Sequence, residues 1–208
     1  MQNKRKHIIN TLMAVIIIAF LMFTIGVIID PLPKIDKEFS AEVQEHANPT
    51  LNHLMHYISW AGYMPNSIYV VAGAILIFLS VGYKREALFT LLSSLAGLVS
   101  TLVKLVVNRP RPGAPIVHVL EKTEQQSFPS GHVLFYTVFF GFIILVMYNR
   151  RGIPKAVRLI ISTICLLLIL LIPLSRIYLG AHWFTDVTAG ALLGLICLYV
   201  LGYFYLKA

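Results

Sequence analysis

The sequence predicts an all-α, polytopic membrane protein: a bundle of six transmembrane helices with short helices on its outer surface. Composition is the first reason, because 58% of the 208 residues are hydrophobic, only 12% are charged, and the mean hydropathy is +0.78. A soluble domain has roughly 25% charged residues and could not bury so much apolar surface. Length is the second reason. Each crossing takes about 20 apolar residues, so six crossings leave only short connections and a single domain, 1–208.

Six apolar runs are long enough to be these crossings. The first, 8–29, follows a basic N-terminus but exceeds the apolar core of a cleaved signal peptide, which is about 7–15 residues. We therefore predict a retained first helix. The other five runs are 64–82, 87–107, 130–148, 157–174 and 187–206.

Residues 34–60 have a different pattern. Apolar residues recur there at helical spacing, and Asn48-Pro49 interrupts them. This pattern predicts two amphipathic helices along the outer surface of the bilayer. The histidines of this stretch, His46, His53 and His56, are expected on its solvated side, because no acidic or cysteine framework accompanies them.

The distribution of charge predicts the orientation. Lys and Arg collect in cytoplasmic loops, and an N-terminus inside the cell leaves ten of the 17 cations in inner segments and eight of the nine acids in outer ones. We predict a plasma membrane protein with both termini in the cytoplasm. Topology explains the net charge of +8, so a nucleic-acid partner is unnecessary.

Three polar clusters stand at the predicted outer ends of helices three to six. They are Lys104–Pro112, Pro129–His132 and Ser175–Asp186. A Lys or Arg at the centre of a membrane helix costs roughly 2.5–3.5 kcal/mol, so such clusters need a reason. Since the predicted topology brings all three to the extracytoplasmic face, we expect them to form one site.

The residue types in these clusters indicate phosphate chemistry. Lys104, Arg111 and Arg176 would repel one another without an anion, and a phosphate dianion is the obvious one. His182 and Asp186 are four residues apart on a predicted helix and can touch. The carboxylate can then fix the tautomer of the imidazole and leave its other nitrogen as a base or nucleophile.

The second cluster supplies the remaining groups. Ser130 and Gly131 precede the fourth predicted helix, whose first N–H groups can bind phosphate oxygens. His132 is free to act as a general acid toward the leaving oxygen. The cations can supply the stabilisation that Mg²⁺ gives elsewhere, so we expect no metal and no cofactor.

The three clusters together resemble the type 2 phosphatidic acid phosphatase (PAP2) superfamily. Its signature, K-x6-RP, PSGH and SR-x5-H-x3-D, is matched at all eleven specified positions between residues 104 and 186. The resemblance implies that His182 attacks phosphorus to form a phosphohistidine, that Asp186 orients it, and that His132 protonates the leaving group and then activates water. It also implies that the phosphoryl oxygens are held by Lys104, Arg111, Ser130, Gly131 and Arg176, with Ser175 as a supporting residue.

Arg109 is an additional cation beside the first block. We expect it at the entrance of the site, where it could meet a second phosphate or a lipid head group. His118, in the long loop before the second block, is expected to be an ordinary loop residue.

The favoured function is that of a membrane lipid phosphatase acting on phosphatidylglycerophosphate or phosphatidic acid from the outer leaflet. Undecaprenyl diphosphate is the alternative substrate. Three further classes are considered: a transporter or scaffold that retains an old site, a vanadate haloperoxidase, and a phosphatase for soluble esters. Complete motifs argue against the first class and six spans against the second, while a comparison of soluble and lipid substrates distinguishes the third.

Overall fold

The computed structural model describes residues 2–123 and 125–207, and every regular element in them is helical. The helices are α1 (Gln2–Ile29), α2 (Lys34–Gln44), α3 (Pro49–Ser59), α4 (Asn66–Ser80), α5 (Lys84–Ser93), α6 (Leu95–Val107), α7 (Gly131–Asn149), α8 (Lys155–Tyr178) and α9 (Phe184–Lys207). A 3₁₀ turn, Trp60–Gly62, follows α3. The predicted all-α fold class is confirmed.

Five of the six predicted membrane spans are found, one of them interrupted, whereas the sixth, 64–82, is represented only by part of a bent pair of helices. Five segments are long and apolar enough to cross a bilayer: α1, α5 with α6, α7, α8 and α9. The run predicted as 87–107 is interrupted at Ser94, which separates α5 from α6. The sixth candidate is a bent pair, Pro49–Gly62 with Asn66–Ser80, whose two parts meet at 57°. At 1.5 Å per residue α4 alone is about 22 Å long, shorter than the roughly 30 Å hydrocarbon core.

Helix α7 forms the centre of the bundle and packs against α8 and α9. Two glycines of α9 allow this close approach. A Cβ at Gly190 would lie 2.7 Å from the backbone oxygen of Ser130, and one at Gly194 would lie 2.6 Å from Cβ of Thr137. The beginning of α7 is therefore fixed directly against the beginning of α9.

The two predicted amphipathic helices are present as α2 and α3, and they pack on α8 and α9. In α2 the apolar residues Ile35 and Phe39 are exposed, whereas the polar residues Asp36 and Ser40 are buried. A surface helix of a soluble protein normally buries its apolar stripe. Helix α2 does the reverse and turns part of its polar side towards the interior.

Candidate active site

The three sequence clusters meet at one end of the bundle, around a cavity of about 1050 Å³. The predicted site residues that line it are Lys104, Arg111, Gly131, His132, Arg176 and His182. Lys104, Arg176 and His182 are buried there, with at most 6% of each side chain exposed. The structure therefore brings together residues that are up to 78 positions apart in the sequence.

The turn after α6 carries Arg111 back over the site. Asn108 ends α6 in the left-handed conformation, with a φ of 47°, and its N–H donates to the Lys104 carbonyl at 2.9 Å. Asn is one of the few residues that adopt this conformation readily. Beyond the turn, Arg111 Nη1 donates to the Ala181 carbonyl at 2.6 Å and lies 3.3 Å from His182 Nε2.

The contact with Arg111 defines the tautomer of His182. A guanidinium can only donate a hydrogen bond, so Nε2 accepts and the ring proton is on Nδ1, 3.5 Å from Asp186 Oδ2. That distance is long for a hydrogen bond, but such contacts often tighten only when substrate binds. Burial lowers the pKa of His182 well below its usual 6.5, and the charges of Arg111, Lys104 and Arg176 lower it further. The ring is therefore neutral at pH 7, and the lone pair on Nε2 accepts from Arg111.

A tight turn between α8 and α9 places His182 beside Arg176. Gly180 has a φ of +65°, and a Cβ there would lie 2.6 Å from the His118 backbone oxygen. Glycine is needed for both reasons. The N–H groups of Ala181 and His182 then donate to the Arg176 carbonyl at 3.1 and 3.2 Å.

His132 lies in the first turn of α7 and faces a glycine that sequence reasoning missed. A Cβ on Gly62 would lie 2.2 Å from His132 Cδ2, so any larger residue would displace the imidazole. Tyr63 packs edge-on against the same ring, with centroids 5.1 Å apart. His132 Nε2 has no hydrogen-bond partner.

Arg109 corrects the sequence prediction. We expected it at the entrance, but it is 2% exposed and lies between two buried carboxylates, those of Asp36 and Asp186. The turn after α6 directs its guanidinium inward, where it forms an ion pair with Asp186. The other oxygen of Asp186 accepts hydrogen bonds from Ser127 Oγ and from the Trp183 N–H.

The long loop between α6 and α7 provides the present partners of the predicted phosphate-binding cations. Glu121 accepts from Arg176 Nη2 at 2.6 Å and from Nη1 at 2.8 Å. Lys104 Nζ donates to the Gln126 carbonyl at 2.5 Å. Burial opposes ionisation of Glu121, but the hydrogen bonds and charge of Arg176 outweigh it and lower the pKa of Glu121. Neither loop residue carries a sequence signal that would have identified it.

Two further predicted site residues, Ser130 and Ser175, are held by hydrogen bonds to neighbouring elements. Ser130 is buried, and its N–H donates to the Asp186 carbonyl at 3.0 Å. Ser175 Oγ donates to the Met55 carbonyl at 2.6 Å and lies 2.7 Å from Ser59 Oγ. Ser175 therefore fastens α8 to α3 and supports the site from behind.

Several polar atoms around the site are buried without a hydrogen-bond partner. Within residues 2–123 and 125–207 they are Ser100 Oγ, Ser130 Oγ, His132 Nε2, Arg176 Nε and His182 Nδ1. Buried polar groups are normally paired, so this concentration indicates where a polar ligand binds. Among residues 2–123 and 125–207, no group of three His, Cys, Asp or Glu side chains is placed to hold a metal ion.

The cavity continues from this polar end into an apolar cleft between α4 and the α5–α6 pair. Its walls are Ile68, Val71, Ala72 and Ile75 on one side and Leu91, Gly97 and Leu98 on the other. A cationic end that continues into an apolar cleft fits an amphiphile with a phosphorylated head group.

Comparison with known families decides the class of the protein. The profile of the PAP2 superfamily matches residues 85–208. The chain belongs to this superfamily. It is 26% identical over 189 residues to phosphatidylglycerophosphatase B of Bacillus subtilis, covering 87% of this chain and 88% of the relative. It is 31% identical over 162 residues to human dolichyldiphosphatase 1, covering 73% and 64%.

The fold comparison agrees with this assignment. The crystal structure of a transmembrane PAP2-type phosphatidylglycerolphosphate phosphatase from Bacillus subtilis superimposes with a TM-score of 0.82 at 21% identity, covering 94% of this chain and 96% of the other. The fold is therefore that of a multi-pass membrane protein, as predicted. Membership of the PAP2 superfamily and the relatives named phosphatases make this chain a phosphoric ester hydrolase, also as predicted.

Proposed function

We propose that this PAP2 protein hydrolyses a lipid phosphate monoester, of phosphatidylglycerophosphate or phosphatidic acid type, without a metal ion and through a phosphohistidine. The supporting observation is the arrangement of the cavity: three cations and two histidines at a polar end that continues into an apolar cleft. The head group enters the cationic end while the glycerol and its acyl chains occupy the cleft.

In the first half of the reaction His182 Nε2 attacks phosphorus. A P–N bond forms, the ester P–O bond breaks, and His132, which is protonated once the phosphate dianion is bound beside it, gives its proton to the leaving oxygen. Asp186, facing Nδ1–H, stabilises the positive charge that develops on the imidazole. Lys104 and Arg176 stabilise the charge on the phosphoryl oxygens.

In the second half His132 acts as a general base. It takes a proton from water, the water oxygen attacks phosphorus, and the P–N bond breaks to release inorganic phosphate. His182 returns to its neutral state and His132 to its protonated one. Before substrate arrives, Arg111 lies within hydrogen-bond distance of His182 Nε2, and we propose that it moves onto a phosphoryl oxygen when substrate binds.

A polyprenyl diphosphate such as undecaprenyl diphosphate is the second candidate substrate. Lys122 lies at the cavity beyond the three motif cations and can meet a second phosphate. The 31% identity to a protein named dolichyldiphosphatase 1 favours the same class. The monoester remains first, because the relative named phosphatidylglycerophosphatase B matches over more of both chains.

We also propose that the active site faces the extracytoplasmic side of the plasma membrane, with both termini in the cytoplasm. The support is the distribution of charge outside the motifs. Arg150, Arg151, Lys155 and Arg158 lie in the loop from α7 to α8, at the end of the bundle remote from the site. Such basic loops are typically cytoplasmic.

The test is phosphate release by the purified protein in detergent, with phosphatidylglycerophosphate, phosphatidic acid, undecaprenyl diphosphate and a short soluble ester as substrates. We expect a lipid monoester to be the best substrate and activity to persist in EDTA. His182→Ala should lower kcat by about a thousandfold or more, whereas His53→Ala, exposed on α3, should not change it. Loss of activity in EDTA, preference for the soluble ester, or an active His182→Ala protein would contradict the proposal.

A further inference from the structure

A buried carboxylate outside the PAP2 motifs belongs to the network around Asp186. Asp36 lies in the first turn of α2 and is fully buried. It accepts hydrogen bonds from Arg109 Nη2 at 2.5 Å, from the Thr185 N–H at 2.8 Å and from Thr185 Oγ1 at 2.7 Å. One side chain thus connects α2 to the turn after α6 and to the beginning of α9, 149 residues away.

Arg109 transmits this contact to the carboxylate beside the nucleophile. Its Nη1 donates to Asp186 Oδ1 and, at 2.7 Å, to Thr185 Oγ1, while its Nε donates to the Pro31 carbonyl at 2.9 Å. The guanidinium nitrogens of Arg109 that donate to the two carboxylates are buried. A buried charge must be paired, and here one guanidinium is shared by two carboxylates.

The sharing has a consequence for the chemistry. With Asp36 in place, the charge of Arg109 is divided between two carboxylates and its contact fixes Oδ1 of Asp186. The other oxygen, Oδ2, accepts from Ser127 Oγ and the Trp183 N–H and faces His182 Nδ1 at 3.5 Å. Without the charge of Asp36, the guanidinium would pair with Asp186 alone and would lose one of the partners that fix its position.

We propose that Asp36 is a positioning residue for phosphoryl transfer. Through Arg109 and Thr185 it keeps the carboxylate of Asp186 directed at His182. Asp36 does not touch substrate, because among the described residues it is not part of the cavity lining. The inference rests on the proposed function, in which His182 is the nucleophile.

The orientation of α2 agrees with this placement of Asp36. The helix leaves Ile35 50% exposed and Phe39 39% exposed, as expected where an amphipathic helix lies along a bilayer, and its opposite side carries Asp36 into the interior. Phe39 packs on Phe184 next to Thr185, with ring centroids 4.5 Å apart, which holds the helix in register with the beginning of α9.

The test compares Asp36→Asn with Glu38→Gln. Glu38 lies on the same helix, is 64% exposed and pairs only at the surface with Lys34, at 3.1 Å, so its variant removes the same charge from the same helix. The measurements are kcat, the inhibition constant of inorganic phosphate and the melting temperature in detergent. For Asp36→Asn we expect kcat to fall about tenfold, the effect typical of a lost partner behind a functional ligand.

The inhibition constant of phosphate should stay within about twofold, because Lys104, Arg111 and Arg176 are intact and each charge contact to phosphate is worth several-fold. Glu38→Gln should change neither quantity. An unchanged kcat in Asp36→Asn would overturn the proposal. A kcat that falls only together with phosphate binding and melting temperature would also overturn it, because a purely structural role gives that result.

Thr185→Val provides a second, milder variant if Asp36→Asn cannot be obtained folded. It nearly keeps the volume of the side chain and removes the hydroxyl that accepts from Arg109 and donates to Asp36. Because the backbone N–H of Thr185 still donates to Asp36, kcat should fall only about threefold. An unchanged kcat would overturn the proposal. His182→Ala separates the two claims: if it stays active the proposed function is wrong, whereas an inactive His182→Ala beside unaffected Asp36 and Thr185 variants rejects this inference alone.

Discussion

Two buried charge clusters lie at opposite ends of the helical bundle. The first is the active-site cluster, in which Lys104, Arg111 and Arg176 line the cavity together with Glu121. The second, at the other end, joins the first turn of α5 to the ends of α7 and α9. There Glu86 is fully buried and accepts hydrogen bonds from Arg150 Nε and from Tyr205 Oη, both at 2.7 Å. We call this second group the Glu86 cluster.

The difference between the clusters is one of charge balance. In the Glu86 cluster one carboxylate meets one hydrogen-bonded guanidinium, and Arg85 stacks on the ring of Tyr205 at 4.7 Å from its centroid. In the active-site cluster the three motif cations, together with Lys122, share a cavity with the single carboxylate of Glu121 among the described lining residues. A balanced pair stabilises a fold, whereas an excess of cations beside open space requires an anionic ligand.

The largest expected effect comes from neutralising one arginine in each cluster. Arg176→Gln removes a cation that is 0% exposed at the cavity, and kcat/KM should fall about 10²- to 10³-fold, because a preorganised charge contact to the reacting phosphoryl group is lost. The matched variant Arg150→Gln should leave kcat/KM within about twofold. Equal losses of kcat/KM in the two variants would show that the clusters do not differ in function.

The next effect concerns the general acid. Gly62→Ala should lower kcat about 10- to 100-fold, because the new Cβ would overlap the ring of His132 and small displacements of a reacting group are costly. Gly73→Ala is the matched control, since its Cβ would meet nothing within 4 Å. Phosphate inhibition should be unchanged in both variants. A fully active Gly62→Ala protein would mean that His132 need not stay where the structure places it.

The pH dependence should shift moderately when a cation of the active-site cluster is removed. Positive charge from Arg111 helps to lower the pKa of His182, so Arg111→Gln should raise that pKa. Because His182 attacks as the neutral base, the acid limb of kcat/KM should move to higher pH by about half a unit. Profiles of wild type and variant on one substrate measure it, and a shift to lower pH would contradict the assignment of His182 as nucleophile.

The smallest effect on catalysis is expected in the Glu86 cluster, where stability changes instead. Glu86→Gln removes the charged acceptor shared by Arg150 and Tyr205 and should lower the melting temperature in detergent by about 5 °C, the result of losing about 1–3 kcal/mol of buried hydrogen bonding. The kcat of the folded protein should not change. A lower kcat at an unchanged melting temperature would show that the Glu86 cluster contributes to catalysis, so that the two clusters would not differ in function.

The parts of the site that could be predicted are those with fixed spacing. His182 and Asp186 are one helical turn apart, and Lys104 and Arg111 are separated by a proline-containing turn, so local rules place each pair. The membrane pattern then brings the blocks to one end of the bundle. The helices could also be predicted, because apolar periodicity is a local property of the sequence.

The parts that could not be predicted depend on long-range contacts. Glu121 and Asp36 stand in segments without a motif, and their partners, Arg176 and Arg109, are 55 and 73 residues away. Nothing local distinguishes them from solvated acids. The sequence prediction places Arg109 at the entrance because its inward direction depends on the carboxylate of Asp36, which no motif identifies. The role of Gly62 depends on its close approach to the ring of His132, which the sequence does not show.

The most direct test of the central claim, that the converged residues transfer a phosphoryl group through His182, is to trap and locate that group. Wild-type protein and labelled lipid monoester are mixed and quenched within one turnover, and the labelled peptide is identified. We predict a phosphoryl group on His182 that is stable in alkali and labile in acid. Label on His132 or Ser130, or rapid turnover without any label on the protein, would contradict the account.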